Sequence, residues 1–240
     1  MFYLEYDLPQ LIRIAEDRIR IFDEERLTIP KPLDAFDFIE FDNGLGIKTD
    51  TQRLTPNLSV LGLTAFNDGH WWVWPENSEM PKKHPVKKGT ILIDERLLES
   101  KANGGQRNFT LLHEGFHWLL HPKVFARQEV VYQRNCNRTS ISARVGSKKP
   151  PMTGIQITEW QANAAAAEFL MPRLAAILAF HERLRIPRSQ SLPIRWSPEM
   201  DATIHEIADM FTASYTAMKF RLIDLDLVIG FPSHSYSDLF

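Results

Sequence analysis

The chain holds a single cysteine, Cys136, in 240 residues, so no disulfide can form within it. That economy fits a reducing compartment. An excess of either charge is also missing: 28 basic and 30 acidic side chains nearly cancel. No strong field therefore marks nucleic acid or an anionic membrane as a necessary partner. No apolar run approaches the roughly 18 residues of a membrane span, since the alanine-rich stretch "ANAAAAEFLM" is interrupted by Glu168. The first residues, "MFYLEYDLPQLIR", are acidic where a secretory signal needs a basic segment followed by an apolar one. Together these absences predict a cytoplasmic protein with no membrane association. Apolar residues still make up 44% of the chain, enough for a substantial core.

Periodicity supplies the first elements. Leu11, Ile12, Ala15, Ile19 and Phe22 recur at helical spacing and predict an amphipathic helix ending before Pro30. A short helix and a strand near Ile47 follow. "LSVLGLTAF" and "WWVW" flank the turn Asn67-Asp68-Gly69-His70 and predict a hairpin, in which Trp71, Trp72, Val73 and Trp74 alternate between core and surface. "PENSEMPKKHPVKKG", with Lys82, Lys83, Lys87 and Lys88, reads as a solvated loop, and "TILID" as a third strand of a small antiparallel sheet. "CNRTSISARVGSKKPPMTG" reads as a surface excursion. Beyond it lie a helix through Leu170 closed by Pro172, a proline-rich linker, and two short helices around Thr212-Ala213-Ser214.

The chemistry concentrates in "FTLLHEGFHWLLHP", residues 109–122. His113 and His117 are four apart, so successive helical turns, about 6 Å along the axis, aim both rings at one point. Glu114 sits where a carboxylate reaches a metal-bound water without taking a coordination position, and "HEGFH" fits the H-E-x-x-H pattern of zinc sites. A chance match in a chain of this composition arises roughly once in fifty. His121 lies about 12 Å along the axis from His113, too far to share the ion. It is expected to bond the free carbonyls of the helix end. The third ligand must come from another element, and "EWQANAAAAEFLMP" is the best source. Glu159, Ala162, Asn163, Ala166 and Leu170 form one face, whose small residues allow close packing on the histidine helix. Glu159 could then coordinate, with Asn163 orienting a ligand histidine. Glu168 is the weaker candidate, and Glu159 could equally be a first-turn acid favoured by the helix dipole.

"RNFTLLHEGFHWLLHP" followed by "EWQANAAAAEFLMPR" resembles the ImmA/IrrE family of zinc-dependent metallopeptidases, in which an H-E-x-x-H helix is followed by an E-x-x-A-N helix ending in Leu-Met-Pro. The likeness extends more loosely over residues 85 to 230. It implies an α+β fold with a zincin-like helical core carrying the H-E-x-x-H helix, the small antiparallel sheet, and a C-terminal helix pair. The expected division is 1–56 for the N-terminal helical segment and first strand, 57–186 for the metallopeptidase core, and 187–240 for the linker and a helix-turn-helix-like pair. The resemblance further implies Zn2+ held by His113, His117 and Glu159, with Glu114 as the catalytic acid and base. One departure stands out: the family has Leu-Gly between the glutamate and the second histidine, where this chain has Gly115-Phe116.

The implied reaction is hydrolysis of a peptide bond in a protein substrate, a DNA-binding repressor of a stress response or mobile element by the resemblance. An extended substrate could be held as an added strand on "WWVW" or "TILID". A rival reading makes this a non-proteolytic zinc-containing regulator that binds DNA or a repressor through "IADMF" and "YTAMKFRL". There Glu206, Asp209, Asp224 and Asp226 outnumber Lys219 and Arg221, so direct binding of nucleic acid is not expected. A closed structural zinc site would require Cys136 as a fourth ligand, and Cys136 could alternatively block the water position.

Overall fold

Asp7 opens the first helix, α1 (Leu8–Asp23), with a reciprocal cap: its carboxylate accepts the Gln10 backbone N–H while the Gln10 side chain accepts the Asp7 N–H, both at 2.8 Å. Leu11, Ala15 and Ile19 form its buried stripe, which packs against α5 (Gly154–Leu170). The computed structural model describes residues 6–41, 44–76, 78–99, 104–125, 154–187 and 189–231. Cys136 and the surface excursion around it lie outside them. After α1 come α2 (Ala35–Glu40), β1 (Lys48–Gln52), β2 (Gly62–Ala65), β3 (Gly69–Val73), β4 (Lys82–Val86) and β5 (Thr90–Asp94). The helices α3 (Gly104–Leu120), α4 (Pro122–Phe125), α5 and α6 (Arg173–Arg183) follow. The C-terminal part holds β6 (Ile194–Arg195), α7 (Asp201–Met210), α8 (Tyr215–Asp224) and β7 (Val228–Ile229).

The class is α+β, but the sheet is not the expected antiparallel one. β5 is central, parallel to β1 on one side and antiparallel to β2 on the other. The expected hairpin across Asn67-Asp68-Gly69 does not form. β3 pairs instead with β4 in a separate antiparallel ribbon, so Lys82–Val86, part of the lysine-rich stretch expected to be a loop, is a strand. Burial explains the exchange. All residues of β2 and β5 are buried, so these two strands complete each other in the interior. β3 alternates between covered and solvated positions, and β4 is covered only at His84 and Val86, so both suit a surface ribbon. Trp71 and Val73 point inward while Trp72 is exposed, the alternation read from the sequence. "TILID", being central, offers no free edge for a substrate strand.

Between the sheet and α5 lies α3, touching both. Phe116 stacks with Phe38 and meets Phe169 edge-on in an aromatic cluster, the Phe38 and Phe169 rings 4.1 Å apart. A side chain at Gly115 would put its Cβ 2.7 Å from Ile39 Cδ1 and 3.0 Å from Leu45 Cδ1. The Gly115-Phe116 order therefore has a local cause: the glycine admits α2, and the phenylalanine fills the cluster behind it.

The carboxyl end of α5 ties the chain's outer segments to its middle. Pro172 stops the helix, and its last carbonyls are taken by distant arginines: Arg26 Nη2 donates to Leu170 O at 3.1 Å and Arg221 Nε to Met171 O at 2.9 Å. Arg221 also pairs at 2.6 Å with Glu168, which is 1% exposed. One hydrophobic core accordingly includes Leu11 and Phe38, Phe116 and Phe169, and Met218 and Val228. The C-terminal helices form where the spacing placed them, with Ser214 Oγ accepting Ala217 N–H to cap α8. No single described helix is long and apolar enough to cross a membrane; α5 and α6 pass that test only as a pair bent by 55°.

Candidate metal centre

His113 and His117 project from successive turns of α3 toward α5, and Glu159 meets them from the first half of that helix. His113 Nε2 and His117 Nε2 are 3.0 Å apart; the Glu159 carboxylate oxygens lie 3.4 Å from the first and 3.5 Å from the second. A tetrahedral ion with bonds of about 2.0–2.1 Å needs ligand atoms about 3.3–3.4 Å apart. The triangle has that size. Among the described residues these three form a buried His-His-Glu group able to hold a metal ion. The chemistry of the donor set agrees. Glu159 is 5% exposed, and its Oε1 has no hydrogen-bond partner, which is costly for a buried carboxylate unless a cation faces it. Burial raises the Glu159 pKa, and the two imidazoles, when protonated, outweigh it and hold the carboxyl well below its usual range. The side chains present thus fit a metal.

Each histidine of the triangle has a partner outside it. Asn163 Oδ1 lies 3.0 Å from His113 Nδ1, so that nitrogen carries the hydrogen and leaves Nε2 a lone pair aimed inward. This is the orienting role the spacing suggested for Asn163. His121 behaves differently from the expectation. Its own carbonyl accepts from Val124 and Phe125 N–H, and its ring lies along α3 with Nδ1 3.0 Å from His117 Nδ1 and Nε2 2.9 Å from Gln161 Oε1. Burial, reinforced by His117, pushes its pKa down to about 3. Glu168, the weaker ligand candidate, is elsewhere, held by Arg221 and the Arg173 N–H.

Glu114 faces the sheet side of α3. Thr64 Oγ1, on β2, lies 2.7 Å from Glu114 Oε2 and 2.9 Å from the Glu114 carbonyl. β2 comes this close because residue 62 is glycine: a Cβ there would sit 2.8 Å from Thr110 Cγ2 and 3.1 Å from Glu114 Cγ. Burial pushes the Glu114 pKa up, while His113, His117 and the Thr64 bond pull it back. Thr64, Gln161 and the orientation of His121 were not anticipated. Thr64 stands 50 residues before its partner and belongs to no motif, and Gln161, two residues from Glu159, lies off the face that spacing picks out on α5; His121, four residues beyond His117, did carry a signal.

No family model matches the chain, and no curated protein matches it.

Proposed function

We propose that the protein is a zinc-dependent endopeptidase with a zincin-like core, of the kind its two motif helices resemble. The observation that carries the reading is the buried triangle of His113, His117 and Glu159, with Glu114 close enough to interact electrostatically with all three. Zinc bound there would act as a Lewis acid and lower the pKa of a coordinated water toward about 7. The rest falls to the chain. Glu114 accepts the water proton as the scissile carbonyl is attacked and returns it to the departing amine. Its buried position raises its proton affinity toward the range such a shuttle needs.

The substrate class follows from the resemblance: a protein, of the type of a DNA-binding repressor. The rival regulator reading finds little support in the C-terminal helices. Arg221, one of their few cations, is 5% exposed and engaged by Glu168 and Met171 O. A DNA-reading helix needs such cations at its surface.

The test is direct. Zinc-loaded protein incubated with unstructured polypeptides should generate new chain termini detectable by mass spectrometry, with the activity removed by chelation and restored by zinc. Intact polypeptides after zinc loading would count against a general endopeptidase.

A second expectation concerns Thr64. Its hydroxyl favours the ionised form of Glu114, so Thr64→Val raises the Glu114 pKa further. A base must be deprotonated to act, so the acid limb of the kcat/KM profile should move to higher pH. An unchanged limb would remove Thr64 from the proton shuttle.

A further inference from the structure

His117 differs from His113 in what stands behind it. An amide oxygen orients His113 directly, whereas His117 is backed by a second imidazole and, beyond it, an amide. His121 and Gln161 are both fully buried. Buried imidazole nitrogens carry one hydrogen and one lone pair between them when neutral, so the partners decide which nitrogen holds which.

Gln161 Nε2 donates to Tyr6 O at 3.4 Å, which turns Oε1 toward His121. An amide oxygen only accepts, so His121 Nε2 carries the hydrogen and His121 Nδ1 is the lone pair. That lone pair faces His117 Nδ1, which must then be the donor. His117 Nε2 is left as a lone pair directed at Glu159 and His113. The donors run in one direction, from His117 through His121 and Gln161 to the Tyr6 carbonyl, and hydrogen bonds aligned this way polarise one another. Phe125 packs edge-on against both rings, at 6.1 Å from His117 and 6.0 Å from His121, and screens the pair.

We infer that His121 is a positioning residue: with Gln161 it forms a relay that holds His117 in the tautomer and orientation in which Nε2 can bind the metal. The inference rests on the zinc reading above. It assigns the third histidine of the opening motif a role beside the site without making it a ligand.

Long-range proton–nitrogen NMR of the histidine rings in zinc-loaded wild-type protein should show the hydrogen on Nδ1 of His117 and on Nε2 of His121. A hydrogen on His121 Nδ1 overturns the relay, and this measurement needs no variant. Chelator competition supplies the second readout. His121→Phe keeps a buried ring but no acceptor and should weaken zinc binding about 10–100-fold. His121→Asn, whose Oδ1 can stand where Nδ1 stood, should recover much of that affinity. A merely structural role would make the two variants follow their melting temperatures and not the presence of an acceptor. Zinc bound equally by wild type and His121→Phe overturns the relay alone. Wild-type protein that binds no zinc overturns the metal reading itself, and this role of His121 with it.

Discussion

Glu114→Gln is expected to reduce peptide hydrolysis by about 10²–10⁴-fold, the usual worth of a positioned acid-base group, while zinc content and fold persist. The ligand atoms come from His113, His117 and Glu159, so none is removed. The amide is nearly the same size as the carboxylate it replaces, and its oxygen can still accept from the Thr64 hydroxyl. Burial already disfavours the charged form of Glu114, so its neutral replacement should not lower stability. Rates of new terminus formation, elemental analysis and thermal melting of the same preparation check all three parts. Zinc lost together with activity would make Glu114 a ligand, and activity retained would assign the proton transfer to another group.

The second large effect is on stability. Arg221→Met should destabilise the fold by about 3–5 kcal/mol, the typical result of leaving one member of a buried ion pair without its partner. Glu168 is 1% exposed and, among the described residues, would retain only the Arg173 N–H at 2.9 Å and the half-exposed Arg173 side chain, whose Nε is 3.7 Å away. The same change frees the Met171 carbonyl. Replacing both partners, as Glu168→Leu with Arg221→Met, should cost far less than the single change, since no charge is then stranded. Denaturant unfolding of the three variants measures this. A loss below about 1 kcal/mol for Arg221→Met would match an exposed pair and show that α8 is not anchored to α5 through Glu168.

What could be read in advance divides by the range of the interaction that decides it. His113 and His117 were legible because a helix places residues i and i+4 together whatever the rest of the chain does. Glu159 was legible only in part: its helix and face followed from spacing, but its arrival at the histidines depended on the packing of α3 against α5. Ala162 and Ala166, both fully buried, made that approach the natural one. Asn163 came with Glu159, one turn on. Strand pairing was opaque, because alternation reveals which face is buried and not which neighbour supplies the hydrogen bonds. Pro85 and two lysines, with two more just beyond, made β4 resemble a loop, yet proline and lysine are also what a solvated edge strand carries, and Pro85 stands opposite His70 in the ribbon. The capping role expected of His121 fails because the helix end is not open: α4 begins at Pro122, and its Val124 and Phe125 N–H groups take up the His121 carbonyl.

The most direct test is the metal content of protein purified without chelator and then offered zinc, for wild type and Glu159→Ala. About one zinc per chain is expected in the wild type and little in the variant, with circular dichroism showing both folded. A wild-type chain without zinc, or a Glu159→Ala chain that keeps a full complement, would contradict the His113, His117 and Glu159 centre.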